Sequence, residues 1–444
     1  MAEEIARNAH LASTVLKTLS NDERSDALYA IRDALFENKE SILKANKIDM
    51  ENAINNNLAS SLIKRLDLSN NDKFDSMCNG IIDVAKLEDP LNKVTLATEL
   101  DDGLNLYRLT CPVGVLLIIF ESRPEVIANI TALAIKSGNA AILKGGKESL
   151  HTFKEMALVI NTVLIEKSKV PKNSIQLIST RGEVSDLLSQ DKYIDLVIPR
   201  GSNELVRNIK DNTKIPVLGH ADGICSIYLD QFLDVEKAKK IVIDSKTNYP
   251  AGCNAVETLL INSKIPLTTQ LEVLNSLLSA GVTLHVDPTL LPILNDQINQ
   301  FPNQITAATE NDFSKEFLSF DIAVKNIDSV EDAILHINAH SSKHTDAIIT
   351  EDESIANKFL KGIDSSGVYW NCSTRFADGF RYGFGTEVGI STNKIHSRGP
   401  VGLEGLVCYY YQMRGSGQVV GDYLGGGGTR VFKHLELDPK KVKL

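Results

Sequence analysis

Of the six cysteines, at 78, 111, 225, 253, 372 and 408, one stands apart by its surroundings. Cys253 follows a Pro-Ala-Gly turn and precedes an apolar run, within KTNYPAGCNAVETLL. A cysteine held in a tight turn at the start of a strand is placed to use its sulfur as a nucleophile, whereas a free cysteine is otherwise a small core residue. This stretch alone allows both readings. The six show no C-x-x-C pair and no paired metal-ligand spacing, so reduced thiols and no metal site are expected.

Three strand-to-loop junctions offer groups that could hold an anion. VGVLLIIF ends at Glu121-Ser122-Arg123-Pro124, with Pro124 placed to start a helix. AAILK runs into Lys144-Gly145-Gly146-Lys147, where glycines let the backbone approach a ligand while ammonium groups face its phosphates. IDLVIP runs into Arg200-Gly201-Ser202-Asn203 just before NELVRNIK, so helix amides and the Ser202 hydroxyl can receive a pyrophosphate. Each junction alone reads equally well as a capped or solvated loop. Together they resemble a dinucleotide site, although no G-x-G-x-x-G follows a strand.

These residues need packed elements to position them. The first hundred residues read as helices, and SNDERSDALYAIRDALFENK opens with a Ser20-x-x-Glu23 capping box and puts Ala27, Leu28, Ile31 and Leu35 on one face. From 113 the apolar runs VGVLLIIF, AAILK, SIQLIS, IDLVIP and PVLGH alternate with helical stretches, which implies a parallel sheet covered on both faces. A second alternating series, about 235–371, reads as another α/β domain. Near the end, YLGGGGTRVF reads as a turn or edge-strand connector, since no strand-turn-helix surrounds it.

The 444 residues allow two or three domains, and 43% hydrophobic with 23% charged residues is ordinary for a soluble chain. No apolar run reaches the roughly 20 residues of a membrane span. The start, MAEEIARNAHLAST, carries no apolar core of signal-peptide length, so a cytoplasmic location is expected. A net charge of −10 argues against a nucleic-acid surface, and any anionic ligand must meet local cations.

The blocks CPVGVLLIIFESRPEVIANI, AILKGGKES, DLVIPRGSNELV, IPVLGHADGICSIYLD, KTNYPAGCNAVETLL, EFLSFDIAV and VYWNCSTRFADGFRYGFGTEVGISTNKIHSRGPVGLEGL, in this order, span nearly the whole chain. On them the sequence resembles the aldehyde dehydrogenase superfamily, and within it the fungal type of the branch that reduces γ-glutamyl phosphate. The resemblance implies an aldehyde dehydrogenase-like fold of two α/β parallel-sheet domains plus a small β oligomerisation element. Expected are an NADPH-binding domain over 1–230, with an oligomerisation hairpin at 99–112, a catalytic domain over 231–400, and an oligomerisation element and tail over 401–444. The implied reaction is NADPH-dependent reduction of γ-glutamyl phosphate to glutamate 5-semialdehyde with release of phosphate, the second step of proline biosynthesis from glutamate.

Carried over block by block, Cys253 falls on the nucleophile, Gly201 and Ser202 on the pyrophosphate turn, Lys144 near the adenosine ribose and Glu316 on the nicotinamide ribose. Lys147 stands where NAD-preferring relatives often carry a glutamate, and a cation there attracts a 2′-phosphate. Ser122 replaces an asparagine that donates to the oxyanion in many relatives, so that role falls mainly on the Cys253 N–H with Ser122 as helper. Val217, in VLGHA, replaces the glutamate that activates water in hydrolytic relatives, so a Cys253 thioester is not set up for hydrolysis. His220, three positions on, is expected to be a satisfied loop histidine.

For the substrate, Asn371-Cys372-Ser373-Thr374-Arg375-Phe376-Ala377-Asp378 offers hydroxyls, a guanidinium and a carboxylate. Arg375 is the first expectation, with Ser373, Thr374 and Arg123 behind it; Arg381 and Arg398 could equally be structural. The resemblance further implies a homo-oligomer, dimer or tetramer. A complex with glutamate 5-kinase would shelter a short-lived acyl phosphate, though no stretch visibly encodes one. The alternatives are a dehydrogenase that oxidises a semialdehyde to a free acid, and a silent scaffold, against which the presence of Cys253, Lys144, Gly201, Ser202 and Glu316 argues.

Overall fold

The structure is a computed structural model that describes residues 2–58, 60–121, 123–178, 181–294, 296 and 300–442. Helices fill the first eighty-odd residues. Ser20 caps the helix Asn21–Glu37 in the expected reciprocal box with Glu23, and Ala27, Leu28, Ile31 and Leu35 are buried. The hairpin expected at 99–112 is longer: β1 (Val94–Asp101) pairs antiparallel with β2 (Leu104–Pro112).

The apolar runs become strands β3 (Val115–Phe120), β4 (Ala140–Lys144), β5 (Ile175–Ile178) and β6 (Leu196–Arg200), all parallel, in the order β5-β4-β3-β6. Every residue of β3 and β4 is buried, as expected of a sheet covered by helices on both faces. PVLGH adds only a bridge, Val197 with Val217, because its residues beyond Leu218 leave the sheet. The strand order reverses between β3 and β6, and such a switch point opens a crevice at the strands' carboxyl ends.

The second sheet is parallel and seven-stranded: β7 (Cys225–Leu229), β8 (Val256–Asn262), β9 (Thr283–Val286), β10 (Ile305–Ala307), β11 (Asp321–Ile327), β12 (Thr345–Ile349) and β13 (Gly367–Trp370), ordered β10-β9-β11-β8-β7-β12-β13. It begins at Cys225, ahead of the boundary expected at 230. The last part of the expected catalytic domain also leaves it. A two-stranded ribbon, β14 (Gly389–Ser391) and β15 (Gly399–Val401), follows, and Val388, Val401, Leu403 and Leu406 join the core of the first domain. β16 (Val407–Arg414) and β17 (Leu435–Glu436) then complete the sheet β16-β2-β1-β17. The glycine run is a turn, with Gly425 and Gly427 at φ 90° and 102°.

One buried ion pair ties the second domain together. Lys246, at the end of the helix Val235–Thr247, donates to Glu257 of β8 at 2.6 Å and to the Val256 carbonyl at 2.9 Å, and both charged side chains are wholly buried. Burial pulls the lysine down and pushes the carboxyl up, each opposed by its partner. Glu257→Leu alone, which strands a buried ammonium, is expected to cost roughly 3–5 kcal/mol, and adding Lys246→Met should recover most of it. Urea unfolding of the wild type, the single and the double variant reads this out.

Candidate active site

The carboxyl ends of the first sheet meet the amino ends of the second around a cleft of ≈ 850 Å³. Phe120 and Glu121 from β3 and Arg200 to Ser202 from β6 line one wall; Gly252 to Asn254, before β8, and Glu316, before β11, line the other. Cys253 is therefore in a cleft, half-buried, and not in the core.

The turn that carries it is held from several sides. A Cβ on Gly223 would stand 2.2 Å from the Cys253 carbonyl oxygen, so only glycine lets β7 lie so close. The Thr374 hydroxyl donates to the Asn254 carbonyl at 2.7 Å, the Asn254 amide donates to the Ala377 carbonyl at 2.9 Å, and the Cys225 thiol faces the Cys253 carbonyl at 3.4 Å. Tyr249 and Leu318, both in the lining, hold left-handed backbone at φ 63° and 58°. For non-glycine residues that conformation is strained and persists only where surroundings over-determine it.

Burial pushes the Cys253 thiol up to about 12; Glu316 and Glu387 add to the rise, while Arg200 and Arg375 oppose it. Glu316 accepts from the Gly223 N–H at 2.9 Å and from the Asn203 amide at 3.1 Å, and burial raises its carboxyl. Glu387 accepts from the Gly379 N–H at 2.9 Å and is likewise raised by burial, against the pull of Arg200. His220 is more than the satisfied loop residue expected: its Nδ1 lies 3.2 Å from the Ile390 carbonyl, but its ring lines the cleft. Burial keeps this imidazole below its ordinary value and so neutral. Val217 packs against the first domain's core instead, so VLGHA presents His220 and Ala221 to the cleft and no carboxylate.

Elsewhere in the lining the Ser202 hydroxyl caps the helix Asn203–Asp211, and the Ser202 N–H donates to the Glu121 carboxylate at 3.1 Å. A Cβ on Gly201 would fall 2.6 Å from that same carboxylate. A carboxylate oxygen thus accepts from a backbone N–H at this helix N-terminus, where backbone donors favour negative charge. Glu121 also lines a second cavity of ≈ 610 Å³ that holds Lys147. Lys144, at the end of β4, is buried beneath that junction and lines neither space.

Of the expected substrate residues, Arg375, Arg123 and Arg381 line the cleft. Arg375 is buried with its Nε unpartnered, and its Nη1 would be 2.5 Å from a Cβ on Gly252, the residue before Cys253. Ser373 and Thr374 do not reach the cleft. Ser373 accepts from the Arg375 N–H at 3.2 Å and from the Ser245 hydroxyl at 3.1 Å, so these two residues support Arg375 and the Cys253 turn from behind. Arg398 bonds the Thr392 and Asp364 carbonyls and is structural. Ser122 lies outside the described residues. Sequence reasoning missed Arg200 and Glu387; Arg200 ends a strand at the same junction as Gly201, which was its one visible signal.

Adding a methyl at Gly223 should destabilise the protein by about 1–3 kcal/mol, the usual cost of overpacking, and should displace the Cys253 turn. Gly182→Ala, where no atom lies within 4 Å of the new Cβ, should stay within about 0.5 kcal/mol of wild type. Denaturant midpoints, together with the alkylation rate of Cys253 by iodoacetamide, check both.

The geometry has counterparts among known proteins. The model of the aldehyde dehydrogenase family matches residues 1–297. The γ-glutamyl phosphate reductase of Saccharomyces cerevisiae is 62% identical, over 100% of this chain and 99% of that protein. The probable γ-glutamyl phosphate reductase of Schizosaccharomyces pombe is 54% identical, over 98% of this chain and 97% of its own length. The crystal structure of the γ-glutamyl phosphate reductase of Thermotoga maritima superposes with a TM-score of 0.88 at 36% identity, over 94% of this chain and 99% of that one. A family model that covers more than half of the chain, with relatives matched over nearly all of it, means that the chain belongs to the aldehyde dehydrogenase family of oxidoreductases, on its γ-glutamyl phosphate reductase branch.

Proposed function

We propose that the chain reduces L-γ-glutamyl 5-phosphate to L-glutamate 5-semialdehyde with NADPH, through a thioester on Cys253 and with release of phosphate, as the second step of proline biosynthesis from glutamate. One observation carries the reading: the Cys253 sulfur and the unpartnered guanidinium nitrogen of buried Arg375 share a cleft that a helix N-terminus also lines. The 62% identity to a yeast γ-glutamyl phosphate reductase names the substrate class.

The residues fit a dinucleotide, since Glu121 already stands in for an anion on the Ser202 N–H. Gly201 and Ser202 would hold its pyrophosphate, Glu316 the nicotinamide ribose, Lys144 the adenosine ribose and Lys147 the 2′-phosphate. When bound, NADPH supplies the hydride that reduces the thioester carbon. His220, with its hydrogen on the nitrogen facing Ile390, leaves Nε2 to take the Cys253 proton. The sulfur then attacks the acyl carbon, and the bond to the phosphate oxygen breaks with its electron pair on the departing phosphate. The Cys253 N–H, helped by Ser122, would hold the oxyanion, and Arg375, Arg123 and Arg381 would orient the anionic substrate. After reduction, the carbon–sulfur bond breaks, the aldehyde leaves and the thiolate is restored.

The same reading has the chain act in the cytoplasm as a homo-oligomer, in which exposed Tyr409, Tyr411 and Met413 on β16 would be covered, with a complex with glutamate 5-kinase as a further element. Among the described residues no helix is long and apolar enough to cross a membrane. One observation favours a second reading, oxidation of a semialdehyde to a free acid: the neutral imidazole of His220 in the cleft could activate water.

The reverse assay separates the two. Semialdehyde and NADP should give NADPH only when phosphate is present, and steady acid formation without phosphate would favour the second reading. Cys253→Ser should abolish turnover while NADPH still binds, and substantial residual turnover would sink the thioester. Glu121→Gln removes a carboxylate that competes for the Ser202 N–H, so KM for NADPH should fall about 3- to 10-fold, an interaction of about 1 kcal/mol.

A further inference from the structure

The fold brings together three side chains that are far apart in the sequence and that the proposed reaction does not use as a set. His220, before β7, Cys253, before β8, and His344, before β12, offer nitrogen and sulfur atoms that all lie within 4.8 Å of one another. The two imidazole rings meet edge to face with centroids 5.1 Å apart. His344 is wholly buried and its Nε2 has no hydrogen-bond partner. Leaving such a nitrogen unsatisfied costs about 1–3 kcal/mol, so an orphan of this kind calls for an explanation.

We propose that His220, Cys253 and His344 form a binding site for a thiophilic divalent cation, Zn²⁺ in the first instance, held by two imidazole nitrogens and the Cys253 sulfur with the fourth position open to the cleft. The ligand set selects the metal class. A thiolate and two imidazoles suit Zn²⁺ and its soft or borderline neighbours, whereas Mg²⁺ and Ca²⁺ need oxygen donors, and none belongs to this trio.

The outer shell has the form of a metal site. A ligating histidine normally spends its second nitrogen on a carbonyl or other acceptor, which fixes the ring. His220 turns Nδ1 to the Ile390 carbonyl at 3.2 Å, and His344 turns Nδ1 to the Thr345 hydroxyl at 2.9 Å; with each ring hydrogen assigned to Nδ1, both Nε2 atoms offer a lone pair. Zinc bonds of about 2.0–2.3 Å place tetrahedral ligand atoms about 3.3–3.6 Å apart. Closing from at most 4.8 Å needs a shift of about 1 Å, within reach of the Cys253 and His220 side chains while His344 stays fixed. Glu316 and Glu387 put negative charge near the sulfur and favour the cation; Arg200 and Arg375 oppose it.

A cation here occupies the sulfur that the acyl group would need, so metal and acyl phosphate exclude each other and the enzyme is reversibly silenced. That consequence rests on the thioester reading under Proposed function, whereas the binding itself does not. The coordination is a ligand exchange: the Cys253 proton is released to solvent as the S–metal bond forms, and no electron changes hands.

The test uses the full metal-free protein with Co²⁺ as the probe. One equivalent should bind and give the sulfur-to-cobalt charge-transfer band and intense visible bands of a four-coordinate site, and Zn²⁺ should displace it. Cys253→Ser should remove the charge-transfer band. His344→Asn removes a direct ligand and should weaken binding by at least the roughly 10-fold that loss of an outer-shell partner costs, with thermal melting showing that the variant is folded; if it is not, His220→Gln is read instead. No one-to-one complex, or binding indifferent to Cys253→Ser and to the histidine variants, would overturn the site. In parallel, Zn²⁺ should inhibit the phosphate-dependent reverse reaction in a manner relieved by a chelator. Binding with undiminished turnover would leave the metal site standing and count against Cys253 as the nucleophile.

Discussion

Gly223 has no side chain, and the Cys253 backbone occupies the space where one would be. Much else in the cleft depends on that contact. It brings the start of β7 against the turn before β8, and it aims the Gly223 N–H at Glu316, which ties the loop before β11 to the same point. Thr374 and Asn254 fix the turn from the side of the Arg375 segment, and Gly252 leaves room for the arginine itself. A turn held this way has little backbone freedom left before any ligand arrives, and groups pre-oriented on such a turn lower the entropic part of a barrier. The left-handed Tyr249 and Leu318 mark where the surrounding packing bears the cost.

The charge arrangement follows from burial. A sulfur taken out of water resists ionisation, and two nearby carboxylates add to that resistance. The chain as a whole is acidic, at −10, and the cleft lining is mixed: Arg123, Arg200, Arg375 and Arg381 stand there with Glu121, Glu204, Glu316, Asp378 and Glu387. In a medium of lower dielectric than water, these local charges of both signs outweigh the distant net charge, because Coulomb interaction falls with distance and is screened within about 8–10 Å by salt. The neutral imidazoles of His220 and His344 owe their state to the same desolvation, which makes them lone-pair donors and not cations.

Much of the fold was legible before the structure, and for a stated reason. Runs such as VGVLLIIF and AAILK have no polar face, and their alternation with helical stretches pointed to a parallel sheet covered on both faces; the Ser20–Glu23 box and its apolar stripe marked a packed helix start. PVLGH shows the limit of the same argument, since five apolar-rich residues paired at Val217 alone. The domain limits shifted for a similar reason: which sheet a strand such as β7 joins, and which core receives Val388, Val401, Leu403 and Leu406, depends on long-range pairing that no local pattern carries.

By itself the sequence determined the candidates, because a cysteine after Pro-Ala-Gly and glycines beside cations at strand ends restrict local backbone and charge whatever surrounds them, while each stretch taken alone kept its purely structural reading. The tertiary structure alone decided which of the offered groups meet. It turned Arg375 into the cleft and Ser373 and Thr374 away from it, replaced Val217 by His220 at the lining, and set His344, ninety-one positions beyond Cys253, within reach of its sulfur. Those outcomes depend on side-chain direction and on sheet order across more than a hundred residues, and neither is encoded in the spacing of residue types along the chain.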